Sequence, residues 1–388
     1  MPEANAQRQR RTPNGPPPVA AVVPFTSAAH EHTETIADIS VTPSTNAQVL
    51  ATIDIPAFGF IRNVYIEVTS TGGAIGTGAL GGDYPHNLFS SIALSDVNGA
   101  PMFGPLDGYA ALVANVAGAY ASNPDPRRMP NYVGTITAAF SLRIPVEISH
   151  HDGFGSLANQ NAAASYKLNL TINSFSSMMA TLGTATAPTF RVRAYLEAWT
   201  LPNDRDVTGR LQSQFPPVHG TSQFWSQNVK AVSVGANTVP LVRVGNLIRT
   251  LAFICRNSSG VRTAGVFPDP ATLNWDSRQL LLDSQMYRNS VAWERGNNLL
   301  NNSVDTGVFL YQFNHSDKNS AGDDNPSLWL PTVQSTRLEL SGNVATAGNI
   351  QVLTNDVAPA EVIPAERYVE TSQTGFHPDV GAANAAAA

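Results

Sequence analysis

The chain has 388 residues, 43% of them hydrophobic and only 13% charged, with a formal net charge of -6; that apolar content excludes full disorder. Gly (29) and Pro (27) account for 29 + 27 = 56 residues, a composition that disfavours long surface helices and suits short strands joined by turns. The acidic balance argues against a body-wide nucleic-acid surface, the lone Cys255 excludes an intrachain disulfide framework and a CxxC metal site, and no stretch reaches the roughly 20 apolar residues of a membrane-spanning helix.

In chain order, residues 1–40 read as a flexible N-terminal arm. Arg8, Arg10 and Arg11 outweigh Glu3, and Pro16, Pro17 and Pro18 stiffen the segment towards polyproline II. Its start lacks the continuous apolar region of a secretory signal, so a soluble chain is expected. Two readings of the arm stand side by side: a terminus without a partner, or a segment that docks on neighbouring copies or on anionic lipid.

The strongest signals that follow have period two. They lie at 64–68 (VYIEV), 142–148 (LRIPVEI), 166–172 (YKLNLTI), 191–199 (RVRAYLEAW) and 336–340 (TRLEL). One apolar and one polar face is the pattern of antiparallel strands in a sandwich. Helical periodicity is confined to 106–120 (LDGYAALVANVAGAY), weakened by Gly108 and Gly118, and to 280–295 (LLLDSQMYRNSVAWER).

The chain also repeats itself. Ile61-Arg62 enters an apolar strand, as does Ile248-Arg249, an offset of 248 − 61 = 187. Ile92 and Leu94 precede Leu106-Asp107 as Leu273 and Trp275 precede Leu282-Asp283. Ser156-Leu157 and Leu168-x-Leu170 match Ser327-Leu328 and Leu338-x-Leu340, where the offset is 338 − 168 = 170. The shorter offset implies shorter connections in the second copy, which loops tolerate. The expected organisation is an arm (1–40), a first β domain (41–200), a polar, proline-bounded linker (201–220), a second β domain (221–370) and a flexible C-terminal tail (371–388).

Catalytic motifs are weak. Gly76-x-Gly78-x-x-Gly81 matches a dinucleotide fingerprint, but Gly82-Asp83-Tyr84-Pro85 follows where a helix is required. His30-Glu31-His32, His150-His151-Asp152 and Asp323-Asp324-Asn325 offer metal-ligand types without ligand spacing. Cys255 ends an apolar strand and reads as a buried thiol. Phe224-Trp225 and Trp329 could stack sugars, although their surroundings favour core or interface packing. Asn169-Leu170-Thr171 and Asn257-Ser258-Ser259 match a glycosylation pattern. No catalytic, cofactor or metal residue is assigned and no enzyme is expected.

A short helix after about the fourth strand, inside a repeated eight-strand β domain, points to the jelly roll. With the paired Ile-Arg entries, Leu-Asp helices, Ser-Leu and Leu-x-Leu segments and the basic, proline-bearing arm, the chain resembles the double jelly-roll major capsid proteins of tailless, membrane-containing icosahedral bacteriophages related to tectiviruses. The resemblance spans roughly residues 40–370. It implies an all-β fold with a few short helices, built as two tandem eight-stranded jelly rolls. It further implies a virion shell subunit: a homotrimer that imitates a hexamer, contacting neighbouring capsomers, minor capsid and vertex proteins, and an inner membrane through Arg8, Arg10 and Arg11, without sequence-specific nucleic-acid binding. Loops 72–86, 122–132, 256–269 and 315–326 are then candidates for intersubunit surface and outward towers. Two alternatives are a glycan-processing or glycan-binding double β-sandwich, which needs convergent carboxylates or aromatics in a cleft between domains, and a minor viral spike or receptor binder.

Overall fold

The computed structural model describes residues 22–118, 131–149, 152–218, 220–242, 245–288, 306–313 and 328–358. After a helical turn, α1 (Phe25–Ala28), come β1 (Glu31–Val41), β2 (Phe60–Thr71), β3 (Phe89–Ser95), β4 (Pro101–Leu106), the helix α2 (Gly108–Ala117), β5 (Ala138–Pro145), β6 (Lys167–Ile172) and β7 (Thr189–Trp199). The second half supplies β8 (Ser222–Val232), β9 (Gly235–Pro240), β10 (Leu247–Asn257), β11 (Ala271–Trp275), β12 (Arg278–Asp283), β13 (Val308–Gln312), β14 (Leu338–Val344) and β15 (Gly348–Ala358).

In the first half, the sheet β1-β7-β2-β5 packs on β4-β3-β6, which the short segments Gln48–Val49 and Ile53–Asp54 extend beyond β6. In the second half, β8-β15-β10-β13 packs on β9-β14-β11-β12. Taken across the sheets, β1 corresponds to β8, β2 to β10, β3 to β11, β4 to β12, β5 to β13, β6 to β14 and β7 to β15, in the same chain order. The halves are two copies of one jelly roll.

Register carries the equivalence to single residues. Leu168 and Leu170 pair with Leu94 and Ile92, and Leu338 and Leu340 pair with Trp275 and Leu273. Each of these four correspondences is a match made in the sequence. The β2–β7 ladder skips Arg62, between Ile61 and Asn63; the β10–β15 ladder skips Arg249, between Ile248 and Thr250. Both arginines of the Ile-Arg entries are therefore bulge residues, which bend the strand and re-aim a side chain. One match needs shifting: Leu157 pairs with Ile61, and the residue on Ile248 is Leu330, two places beyond Leu328.

Burial follows the pattern. β7 alternates, with Phe190, Val192, Ala194 and Leu196 inside. β10 is buried from Ile248 to Cys255 without alternation, because both of its faces are covered.

Three sequence expectations change. The expected arm ends too late: β1 pairs with β7 from Glu31–Trp199 to Val41–Phe190, and Phe25, 2% exposed, meets Phe60 and Trp199 edge-on at 5.3 and 6.2 Å. Apolar burial and a full ladder hold residues that composition had assigned to a tail; residues 1–21, and 371–388 of the expected tail, lie outside the described residues. The linker is not free either, since Val23 donates to Leu211 O and accepts from Ser213 N. In the expected second helix, Leu280–Asp283 belong to β12, whose Leu281 and Asp283 pair with Leu273 and Ala271. Helical residues begin at Gln285, where the Ser284 hydroxyl accepts from Tyr287 N at 3.2 Å; residues beyond 288 lie outside those described.

The first helix is placed as read, with Asp107 as its N-cap, accepting from Ala110 N at 2.8 Å. Gly108 is required by close approach: a Cβ there would lie 1.9 Å from the His86 carbonyl oxygen.

Candidate functional site: the joint between the two barrels

Every residue of α2 is buried. A helix apolar all round needs cover all round, and α2 receives it from both barrels. Leu112, Val113 and Val116 join one cluster with Ala252 and Ile254 of β10, Val308 and Leu310 of β13, and Leu353 of β15. The first barrel's helix thus lies on the outward face of the second barrel's sheet. Beside it, β4 and β8 meet in parallel at Phe103 and Trp225, so sheets of both barrels are continuous.

Polar groups close both ends of this apolar seam. At the helix C-terminus, the Ala117 and Gly118 carbonyls accept from Gln312 Nε2 at 2.8 Å and Arg249 Nη2 at 3.3 Å. The second barrel therefore satisfies carbonyls that a helix end leaves orphaned, and the arginine opposes the negative end of the helix dipole. Asn115 binds the backbone of Arg143 in both directions, at 2.5 and 2.7 Å, fixing α2 to the edge of β5.

At the N-terminus, Asp107 accepts from Gln351 Nε2 at 2.6 Å. Asp83, from loop 72–86, accepts from Arg262 Nε at 2.6 Å and Arg256 Nη2 at 2.9 Å. The two guanidiniums lie 4.4 and 5.7 Å from the Tyr109 ring. Burial alone would lower the Arg256 pKa, but the carboxylates of Asp83 and Asp107 outweigh it and hold the group above its ordinary value. Loops 72–86 and 256–269, candidates for intersubunit surface and outward towers, meet here through Asp83, Arg256 and Arg262.

A second polar cluster lies at the far end of the first barrel. Glu147, fully buried, accepts from Arg62 Nε at 3.0 Å, Trp199 Nε1 at 3.1 Å and Ser156 Oγ at 3.3 Å. Arg62 also pairs with Glu31 at 2.8 Å and stacks over Trp199 at 4.1 Å. Gln223 of β8 donates to the Glu147 carbonyl at 2.7 Å, a further bond across the joint. The two bulge arginines thus have different tasks: Arg62 ties β1 to its own barrel, and Arg249 caps the helix of the other.

The sequence-level candidates are scattered. Arg8, Arg10, Arg11, His150, His151 and 323–325 lie outside the described residues. Gly76, at φ 53, and Gly81 sit in a loop bonded to 178–186, and the helical turn that follows is only His86–Leu88. His32 stacks on Phe58 at 4.1 Å, and Asp152 accepts from Phe154 N at 3.0 Å. Among the described residues no three His, Cys, Asp or Glu side chains cluster as metal ligands. Cys255 is buried, which pushes its thiol pKa up. Asn169 lies in β6 and accepts from Thr52, while Asn257 closes a turn on Ser259 and Val261. Trp225 is in the joint core and Trp329 stacks on Phe154, which is packing rather than sugar stacking.

Sequence reasoning missed Asp83, Arg256, Arg262, Gln351 and Gln312. A signal was present: in a chain so poor in charge, arginines at both ends of an apolar strand (LIRTLAFICR) need buried partners.

No protein-family model matches the sequence, and no curated protein matches it. Solved structures do. The major capsid protein of Sulfolobus turreted icosahedral virus aligns at 13% identity over 89% of this chain and 100% of that chain, with a TM-score of 0.54. A chain in the atomic structure of that virus aligns at 14% over 88% and 96%, TM-score 0.56. The major capsid protein of bacteriophage PM2 aligns at 8% over 86% and 99%, TM-score 0.52. At such identities the likeness is one of architecture, and with the duplicated strand order it establishes that the chain has the double jelly-roll fold of viral major capsid proteins.

Proposed function

We propose that the chain is a structural shell subunit: a major capsid protein whose homotrimers imitate hexamers and tile an icosahedral virion. The observation that carries this reading is the strand-by-strand duplication of one barrel into two, with α2 packed between them. Three copies then present six equivalent barrels around one axis, and heterologous contacts between them close into a ring. The reading is structural rather than enzymatic, since the space where a glycan-processing sandwich needs a cleft is filled by α2 and the Asp83–Arg256–Arg262 cluster.

Sedimentation of the purified full chain tests the reading. A stable species of three chain masses with a hexagonal outline in negative stain supports it; a monomer at all concentrations overturns it. Membrane contact through Arg8, Arg10 and Arg11 belongs to the same proposal. Because Phe25 and β1 are part of the barrel, the variant that tests it removes residues 1–21 only. That variant should keep the trimer and lose co-flotation with anionic vesicles; unchanged flotation would refute the arm's role.

A further inference from the structure

The linker between the barrels carries a hairpin, residues 204–212. Arg205 bridges Leu211, Asp206 N donates to Arg210 O at 2.9 Å and Gln212 N donates to Asp204 O at 3.0 Å. Gly209, at φ 83, donates to Asp206 O at 3.0 Å and is the left-handed residue that closes a three-residue hairpin loop. The Asp206 carboxylate accepts from Thr208 N at 2.8 Å, Thr208 Oγ1 at 2.7 Å and Arg210 N at 2.9 Å. The tip is thus ordered by its own bonds, and it displays apolar groups. Val207 is fully exposed, and Leu211 and Phe215 are 49% and 50% exposed, although turns in water favour Gly, Pro, Asn, Asp and Ser. Asp204 and Asp206 balance Arg205 and Arg210, so no net charge directs this tip to an ionic partner.

The N-terminal arm is joined to the molecule at the same place. Val23 pairs with Gln212 in parallel, donating to Leu211 O at 3.0 Å and accepting from Ser213 N at 2.9 Å. Because the pairing is parallel, the chain before Val23 lies towards the hairpin tip, and Val22 is the first described residue. Residues 1–21, attached there, carry Arg8, Arg10 and Arg11 against Glu3. On the other side, Phe25 packs on Phe60 and Trp199, and Phe215 meets Phe60 edge-on at 6.3 Å. The root of the arm and the hairpin are therefore one unit, fixed to the first barrel.

We infer that the Val207 tip is a membrane-interface anchor: it inserts its apolar side chains at the headgroup boundary of a lipid bilayer, while the basic arm attached beside it neutralises lipid phosphate. This rests on the membrane contact proposed for the shell subunit, and it names the element that enters the lipid. Each signal is weak alone. One small apolar insertion or one short basic segment gives marginal, reversible binding, and stable attachment takes two signals together. The hairpin and the arm supply one of each from a single point of the fold.

The test uses the full chain with Val207→Cys carrying a nitrobenzoxadiazole label; Cys255 is buried, so the label goes to position 207. Vesicles of phosphatidylcholine and phosphatidylglycerol should brighten and blue-shift its emission, and nitroxide-bearing acyl chains should quench it. Unchanged emission in protein that co-floats with the vesicles overturns the inference and leaves the arm's contact standing. Protein that does not float at all overturns both. The same emission change on self-association without lipid assigns the tip to another copy and also overturns the inference. Sedimentation of the unlabelled chain reads the shell-subunit proposal separately, since trimerisation does not depend on lipid. In parallel, Val207→Asp should lower co-flotation by about tenfold or more, with the trimer and the circular dichroism spectrum unchanged. Val234→Asp should not: that residue is 67% exposed but follows Val232, the end of β8 away from the Gln223–Glu147 contact. Folded Val207→Asp protein that floats like the unmodified chain counts against the anchor.

Discussion

Asp83→Asn isolates the charge that joins the barrels at the N-terminal end of α2. The substitution keeps side-chain shape and leaves two guanidiniums, whose side chains are 18% and 10% exposed, without their shared carboxylate. At an effective dielectric near 20, each contact is worth up to about 4 kcal/mol before desolvation is counted, and breaking a buried pair typically costs about 3–5 kcal/mol. Arg256 keeps Gln351 and Arg262 keeps the Gly82 carbonyl as acceptors, so the lower end, about 3 kcal/mol, is expected. Global unfolding of two joined barrels is not safely two-state; native-state hydrogen exchange of the α2 amides reads the joint directly. About 3 kcal/mol corresponds to a loss of about two orders of magnitude in their protection. Glu339→Gln, which breaks a pair remote from α2 whose Arg337 side chain is 60% exposed, should leave α2 protection within about fivefold. If Asp83→Asn changes α2 protection no more than Glu339→Gln does, the cluster is not what holds the barrels together.

Gly108→Ala should destabilise the chain by about 1–3 kcal/mol through overpacking, despite the better helix propensity of Ala, because the new methyl meets the His86 carbonyl at 1.9 Å; a gain in urea midpoint would contradict the close approach. Cys255, its thiol pKa raised by burial, should resist iodoacetamide at pH 8 until denaturant is added, and native-state alkylation at the rate of a free thiol would show that β10 is not sealed. Asp276 accepts from Thr336 and Arg337 backbone N–H groups, and the first of these leads in holding its pKa below the ordinary 3.8. Its contribution is therefore present above about pH 4 and lost as pH falls through the depressed folded value. Amide exchange at Thr336 and Arg337 should quicken in acid, and Asp276→Asn should remove that pH dependence; persistence of the dependence in the variant would exclude Asp276 as its source.

The parts of the fold legible in sequence are those where one local pattern meets one environment. β6 and β7 alternate because one face is wet, and α2 announces itself by Asp107 and an Ala-rich apolar run. β1 was hidden for a physical reason. It is an edge strand with little burial on either face, and its ladder shifts between Thr35 and Ala37, which breaks the alternation of Ile36, Ile39 and Val41. The Leu280–Asp283 run fits strand and helix equally, as short apolar runs do. Its strand identity comes from pairing with β11 across the turn at Asp276, where φ is +51. The arginines of LIRTLAFICR signal that the joint needs buried partners, but which partners could not be read locally: Asp83 and Arg262 are 179 residues apart, and Asp107 and Gln351 are 244 apart.

The difference between the two equivalent sheet faces has a simple physical origin. The face on β10 is covered by a segment of its own chain, whose effective concentration is high from the moment the barrels fold. Ala252, Ile254, Leu310 and Leu353 can be apolar there because they are exposed only in the unfolded or partly folded chain. The face on β2 is polar and aromatic in the same rows, with Tyr65 between Tyr195 and Arg143 and Glu67 between Arg193 and Ser141. Around Tyr65 and Tyr195, Arg143 pairs with Glu197 and Arg193 with Glu67. The two copies of the barrel therefore differ in chemistry at these rows, apolar where α2 packs on them and aromatic and charged where Tyr65 and Glu67 stand.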